Sequence, residues 1–154
     1  MNIRKGTIQD LPHILNLIKE LAAYEKAPNE VVVTIDQMEN WGFGNDKIFD
    51  FFVAEKNGSI IGMALYYYKY STWKGKCLFL EDIIVTEAER RHGIGKLLFD
   101  EVAKVAKADG VKRMEWQVLE WNEPAIQFYR KYGAHLDGEW INCKLTHDDL
   151  QKMF

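Results

Sequence analysis

Arg90, Gly93 and Gly95 stand in an Arg-x-x-Gly-x-Gly pattern between two different kinds of sequence. The apolar run Ile83-Ile84-Val85 before it reads as a strand. After it, Leu97, Leu98, Val102 and Val105 recur at helical spacing. Glycine at a strand-to-helix turn lets the backbone approach a ligand closely, because no Cβ intervenes. The N–H groups of a first helical turn, with the helix dipole, then favour phosphate. The pattern reads as a pyrophosphate cradle or, more plainly, as a helix start softened by glycine with no ligand. Spacing excludes two common cradles. A Walker loop needs four residues between its glycines and then Lys-Ser or Lys-Thr, whereas here Leu97 follows Lys96. A dinucleotide fingerprint needs a third glycine where Leu98 stands.

The elements that would hold this turn follow along the chain. Residues 3–5 suit a short strand. Asp10 is placed to cap a helix with Pro12 in its first turn and Ile14, Leu15, Ile18, Leu21 and Ala22 on its apolar face. Thr34 with Gln37 makes a capping box for a second short helix, closed by Gly42 and Gly44. Residues 51–56 and 60–70 read as strands joined by the hairpin signal Asn57-Gly58, and Lys74-Gly75 turns into a strand over 77–85. The helix after the glycines stops near Gly110, and residues 113–119 form another strand. Asn122 caps a helix over 123–132, with Pro124 in its first turn and Gly133 at its end. Residues 135–144 are β-like, and Thr146 opens a last short helix. An antiparallel hairpin before a β-α-β crossover implies an α/β (α+β) fold, a mixed central sheet of about seven strands flanked by helices on both faces. The 154 residues suit one domain over 1–154.

Composition narrows the class. A net charge of -3 argues against a general nucleic-acid binder. No apolar run reaches the length of a membrane span, and Met1 opens directly onto a strand-like segment. Cys77 and Cys143 stand apart, without ligand spacing, and read as buried thiols of a reducing compartment. His13, His92, His135 and His147 show no metal-ligand spacing, so no metal is expected. The expectation is a soluble cytoplasmic protein that binds neither nucleic acid nor membrane.

The Arg90 turn and the element order resemble the acetyl-CoA loop and fold of the GCN5-related N-acetyltransferases (GNAT). The segments Tyr24-Glu25, Trp73-Lys74-Gly75, Leu80-Glu81-Asp82 and Glu120-Trp121-Asn122-Glu123-Pro124 with Phe128-Tyr129 resemble the spermidine/spermine N1-acetyltransferases and their thialysine N-epsilon-acetyltransferase relatives. The resemblance implies an enzyme that transfers acetyl from acetyl-CoA to a primary amine of a small cationic molecule, a di- or polyamine or a lysine-like amino acid. Transfer would be by direct attack in a ternary complex, and the enzyme a homodimer. The alternatives are a non-catalytic CoA-binding module and an acetyltransferase acting on protein amines. Two departures stand out. Ser71-Thr72 occupy the place where polyamine enzymes carry Asp-Pro, as in thialysine-type relatives, and residues 133–140 form a shorter segment than in the animal enzymes.

Amine acetylation sets three requirements. The amine arrives protonated, with a pKa of roughly 10, so a group must take a proton. By resemblance Glu81 is that base and a substrate carboxylate, while Asp82 helps hold the cation. Neighbours in a regular strand face opposite ways, and a bulge could turn both carboxylates to one side. Second, the departing thiolate needs a proton, and the resemblance gives this to Tyr129. Third, the cosubstrate must be held. The resemblance places pantetheine on the backbone of Ile83, Ile84 and Val85. It gives the pyrophosphate to Arg90, Arg91, His92, Gly93, Ile94, Gly95 and Lys96, with further contacts from Asn122, Glu123, Pro124, Ala125, Tyr129 and Tyr132. For the acceptor it points to Tyr24, Glu25, Trp73, Glu115, Trp116 and Gln117 beside Glu81 and Asp82. The run Tyr66-Tyr67-Tyr68 reads as ordinary strand with no ligand.

Overall fold

Alternation along the central strands decides where the core lies. The computed structural model describes residues 1–154 and divides into two units, Met1–Gln117 and Val118–Phe154. The first holds a sheet in sequence order: β1 (Asn2–Lys5), β2 (Asp50–Lys56), β3 (Ser59–Ser71), β4 (Gly75–Val85) and β5 (Met114–Glu115). The pairings β1–β2, β2–β3 and β3–β4 are antiparallel and β4–β5 is parallel, so the sheet is mixed. Phe51, Val53, Met63 and Ile84 share one face. They pack against Leu11, Ile14 and Leu17 of α1 (Leu11–Tyr24) and Met38 of α2 (Ile35–Phe43). Residues of the other parity meet α3 (Ile94–Ala108). There a Cβ on Gly62 would stand 3.1 Å from Leu98 Cδ1 and 2.9 Å from the Ile84 carbonyl, so only glycine lets strand and helix come this close. Helices therefore cover both faces, as expected.

The sheet has five strands rather than about seven. β5 pairs with β4 only at Leu78↔Met114 and Phe79↔Glu115, and residues 116–119 and 135–144 form no strand. A strand is stable only through its ladder, and Asp137 with Gly138 interrupts the alternation of the later segment. Cys143 lies in that segment and is exposed, contrary to the expected buried thiol, while Cys77 in β4 is buried. On α3 the buried stripe is Ile94, Leu98, Phe99, Val102 and Ala106, so the expected Leu97 is exposed. The helix starts at Ile94, and its inward face follows from that first turn at i, i+4 spacing. Asp10 precedes α1 but does not cap it with its side chain. Its carboxylate accepts the Thr7 N–H at 2.7 Å and a two-pronged Arg4 guanidinium at 2.8 and 3.0 Å. That hydrogen-bonded cation holds the Asp10 carboxyl down at about 2.

The second unit carries α4 (Glu123–Arg130) and α5 (His147–Gln151). Asn122 Oδ1 accepts the Ala125 N–H at 3.4 Å, with proline in the first turn of α4, and Thr146 opens α5 in a capping box with Asp149.

Candidate active site

The two adjacent carboxylates are brought to one side by a bulge. Leu65 lies opposite Asp82 and Tyr66 opposite Leu80, which leaves Glu81 as the extra residue of β4. An inserted residue cancels the usual alternation. Glu81 consequently receives a hydrogen bond from Tyr67 Oη at 2.8 Å, on the sheet face that carries α1. Asp82 looks the same way, towards Glu25 at the end of α1. Burial, then the negative charges of Glu81 and Glu25, push its carboxyl up to about 7. Burial also raises Glu25. The Tyr67 phenol is pushed upward by burial and by its bond to Glu81.

The same face continues towards β5. The Tyr67 and Phe79 rings stack with centroids 5.4 Å apart, and Lys69 Nζ sits 5.4 Å above the Phe79 ring. Beyond Phe79, its parallel partner Glu115 is approached by Lys69 Nζ at 3.4 Å and Arg113 Nε at 3.3 Å, both on Oε2. The acidic residues singled out from sequence, Glu25, Glu81, Asp82 and Glu115, thus line one face. Other members of the expected set lie elsewhere. Trp73 is 89% exposed at the β3–β4 turn, and Glu81 is roughly 20 Å away along β4 by strand rise. Trp116 packs edge-on against Phe99 of α3, which is the opposite face. Tyr24 lies under the Arg90 guanidinium, 5.2 Å from its ring, and Gln117 is exposed. Tyr67, Phe79 and Lys69 were missed by sequence reasoning. Their parity with Glu81 depends on the bulge, and only the shared spacing of residues 67 and 69 hinted at a common face.

The glycine turn has the shape of an anion cradle. Gly93 (φ +77) precedes α3, Arg91 two residues earlier also has positive φ (71), and no side chain caps the helix. The amides of the first turn have no intrahelical partner. A Cβ on Gly95 would meet only Val85 Cγ2, at 3.9 Å, so the space over this turn is open. Beside it, no strand lies along the second edge of residues 80–85, because β5 has already left β4. The charges of the turn differ in their commitments. Arg90 Nε donates to the Val85 carbonyl at 2.9 Å and Nη2 lies 3.7 Å from Glu20, which itself accepts the Glu87 N–H at 2.9 Å. Arg90 therefore braces the loop against α1. Lys96 pairs with Asp100 at 2.6 Å, His92 lies 3.7 Å from Glu89, and Arg91 is exposed.

In the second unit Tyr129 is buried in α4, its ring edge-on to Phe128 at 5.2 Å, and Phe128 meets Tyr132 at 5.5 Å. Glu123 accepts from Gln127 at 2.5 Å. No group of His, Cys, Asp and Glu forms a metal-binding cluster, and no helix is long and apolar enough to cross a membrane.

This fold is shared with solved acetyltransferases. An aminoglycoside N-acetyltransferase solved in complex with CoA matches this fold with a TM-score of 0.74 at 20% identity, covering 94% of this chain and 93% of that one. The acetyltransferase (GNAT) family model matches residues 13–134, so the chain belongs to that family and is an N-acetyltransferase. A thialysine N-epsilon-acetyltransferase of Bos taurus is 37% identical over 140 residues, covering 86% of this chain and 82% of the relative. The spermidine/spermine N(1)-acetyltransferase-like protein 1 of Homo sapiens is 35% identical over 161 residues, which is 98% of this chain but 23% of that protein.

Proposed function

We propose that this enzyme transfers acetyl from acetyl-CoA to the terminal primary amine of a small aliphatic cation, a lysine-like amino acid or a di- or polyamine. Transfer is by direct attack within a ternary complex. The observation that supports this most is the bulge at Glu81, which turns Glu81 and Asp82 to the same side as Glu25. A protonated amine needs anionic company to bind and a base before it can attack. Asp82 and Glu25 hold the ammonium, and Glu81 takes its proton, directly or through a water.

Acetyl-CoA, when bound, supplies an activated acetyl thioester. The residues present fit it: backbone groups of Ile83, Ile84 and Val85 along the open edge of β4, and the amides of residues 91–96 with Arg91 and Lys96 for the pyrophosphate. The resemblance of residues 122–125, Tyr129 and Tyr132 to the family motif adds further contacts and gives Tyr129 the proton for the departing thiolate. Tyr24, Trp73, Trp116 and Gln117 keep acceptor roles by resemblance alone. Ser71-Thr72 and the bovine relative favour thialysine-type acceptors. We place the enzyme in the cytoplasm as a homodimer of single domains over residues 1–154.

The reading is tested by incubating a panel of amines with acetyl-CoA and detecting free thiol. Acetylation of short amines with a free terminal amino group is expected. In Glu81→Gln, kcat/KM for the amine should fall by about 100-fold or more, with a defect that shrinks as pH rises and more amine is free. Absence of transfer to every such amine, or an unchanged Glu81→Gln, overturns it.

A further inference from the structure

The acceptor face is not acidic throughout. It runs from the carboxylates Glu25, Asp82 and Glu81, across the stacked Tyr67 and Phe79 rings, to Lys69 and Arg113 around Glu115. At that far end two cations share one carboxylate, so the cluster is net positive. Both contacts, at 3.4 and 3.3 Å, fall on Glu115 Oε2, and that buried oxygen accepts no hydrogen bond from either. The ion pairs are therefore poorly made, and a second carboxylate would be a better partner for the donors of Lys69 and Arg113.

We infer that Lys69, assisted by Arg113, forms a subsite for the carboxylate of the acceptor, which makes the preferred acceptor an amino acid with a terminal amine rather than the corresponding diamine. This rests on the acceptor face assigned above. Its length fits. Asp82 lies opposite Leu65, four residues before Lys69. Lys69 Nζ, however, reaches back to 5.4 Å from the ring of Phe79, the partner of Tyr67. That pair is two residues, or roughly 7 Å, along the strand from the Asp82 position. An extended chain of four or five saturated atoms spans roughly 6–7 Å, at about 1.25 Å advance per bond. An amine seated at Glu81 and Asp82 thus places the α-carboxylate of a lysine-length amino acid beside Lys69, with its methylenes over Tyr67 and Phe79. The same layout selects against a diamine, whose second ammonium would face Lys69 and Arg113.

L-Lysine and L-thialysine, each compared with its decarboxylated diamine, isolate the carboxylate once the diamine's two equivalent amines are allowed for. In the wild type the amino acid should show at least about 10-fold higher kcat/KM than the diamine, the worth of one charge-assisted contact. Lys69→Ala should erase most of that ratio through KM for the amino acid, leaving the diamine unchanged or improved. Lys69→Arg should restore the ratio, and Arg113→Ala should reduce it less. Lys69 is an exposed side chain, and thermal melts of each variant confirm that the fold is kept. A wild type that prefers diamines, or a ratio untouched by Lys69→Ala and Lys69→Glu, overturns the carboxylate subsite while leaving amine acetylation intact. Failure to acetylate either member of both pairs overturns the subsite together with the proposed function.

Discussion

Glu81 and Asp82 are neighbours in sequence that meet different surroundings, and the difference is what a pair of carboxylates needs to divide its labour. Asp82 is half-buried near Glu81 and Glu25 and titrates at about 7, while Glu81 is exposed and bonded to Tyr67. A carboxyl raised in this way is neutral below its pKa and ionised above it, so its attraction for an ammonium grows as pH rises through about 7. The profile of kcat/KM for the amine should therefore show an inflection near that pH, absent in Asp82→Asn. The linked effect on stability has the opposite sense. A folded pKa above the unfolded one favours the fold at acid pH, and that advantage is lost as pH rises through about 7. Asp82→Asn should raise Tm at pH 8 more than at pH 5, a comparison that scanning calorimetry makes directly. Tyr129 is argued separately. If it protonates the thiolate, Tyr129→Phe should lower kcat by roughly 100- to 10,000-fold. Acetyl-CoA affinity by titration calorimetry should barely change, because the ring still packs against Phe128. Near wild-type turnover with chemistry rate-limiting removes that role. The carboxylates were legible in the sequence as residue types at a strand end. Tyr67, Phe79 and Lys69 were not, because which side chains share a face beyond a bulge is decided by cross-strand register.

At the scale of elements, local chemistry was the legible part. Asn57-Gly58 forms the hairpin with both residues at positive φ, the Thr34–Gln37 box closes as read, and Asn122 caps α4. Each of these depends on a few consecutive residues. The phase of α3 and the length of β5 depend on packing and pairing at a distance, and there the reading slipped. The turn before α3 also carries a prediction. Because a Cβ on Gly95 would meet only Val85 Cγ2 at 3.9 Å, and φ there is not positive, Gly95→Val leaves the fold room to accept it. Helix propensity favours valine over glycine by a few tenths of a kcal/mol, so the empty protein should lose no stability from that source. A bound pyrophosphate would find the branched side chain where the backbone should approach, so acetyl-CoA affinity should drop by about 10-fold or more. Calorimetry showing unchanged affinity in a folded variant removes the anion cradle from this turn.

At the scale of the molecule, the exposed apolar residues of the second unit ask for a cover. Trp140 is 81% and Ile141 88% exposed, and Leu145, Leu150, Met153 and Phe154 are also open to solvent. Scattered apolar side chains are ordinary on a protein surface, but so many within one short stretch of chain are what the proposed homodimer would cover. In that dimer they would meet copies of themselves, since a two-fold contact sets the same surface of both subunits together. Light scattering at micromolar concentration should then report about twice the chain mass of 18.0 kDa. Trp140→Glu places a charge among these apolar residues, and burying it unpaired in a dimer would cost several kcal/mol. That variant should run as a monomer while its isolated chain keeps its secondary structure by circular dichroism. Comparing its activity with the wild type then shows whether the site is complete within one subunit. A wild type that is monomeric at micromolar concentration and fully active would leave the apolar patch without this partner.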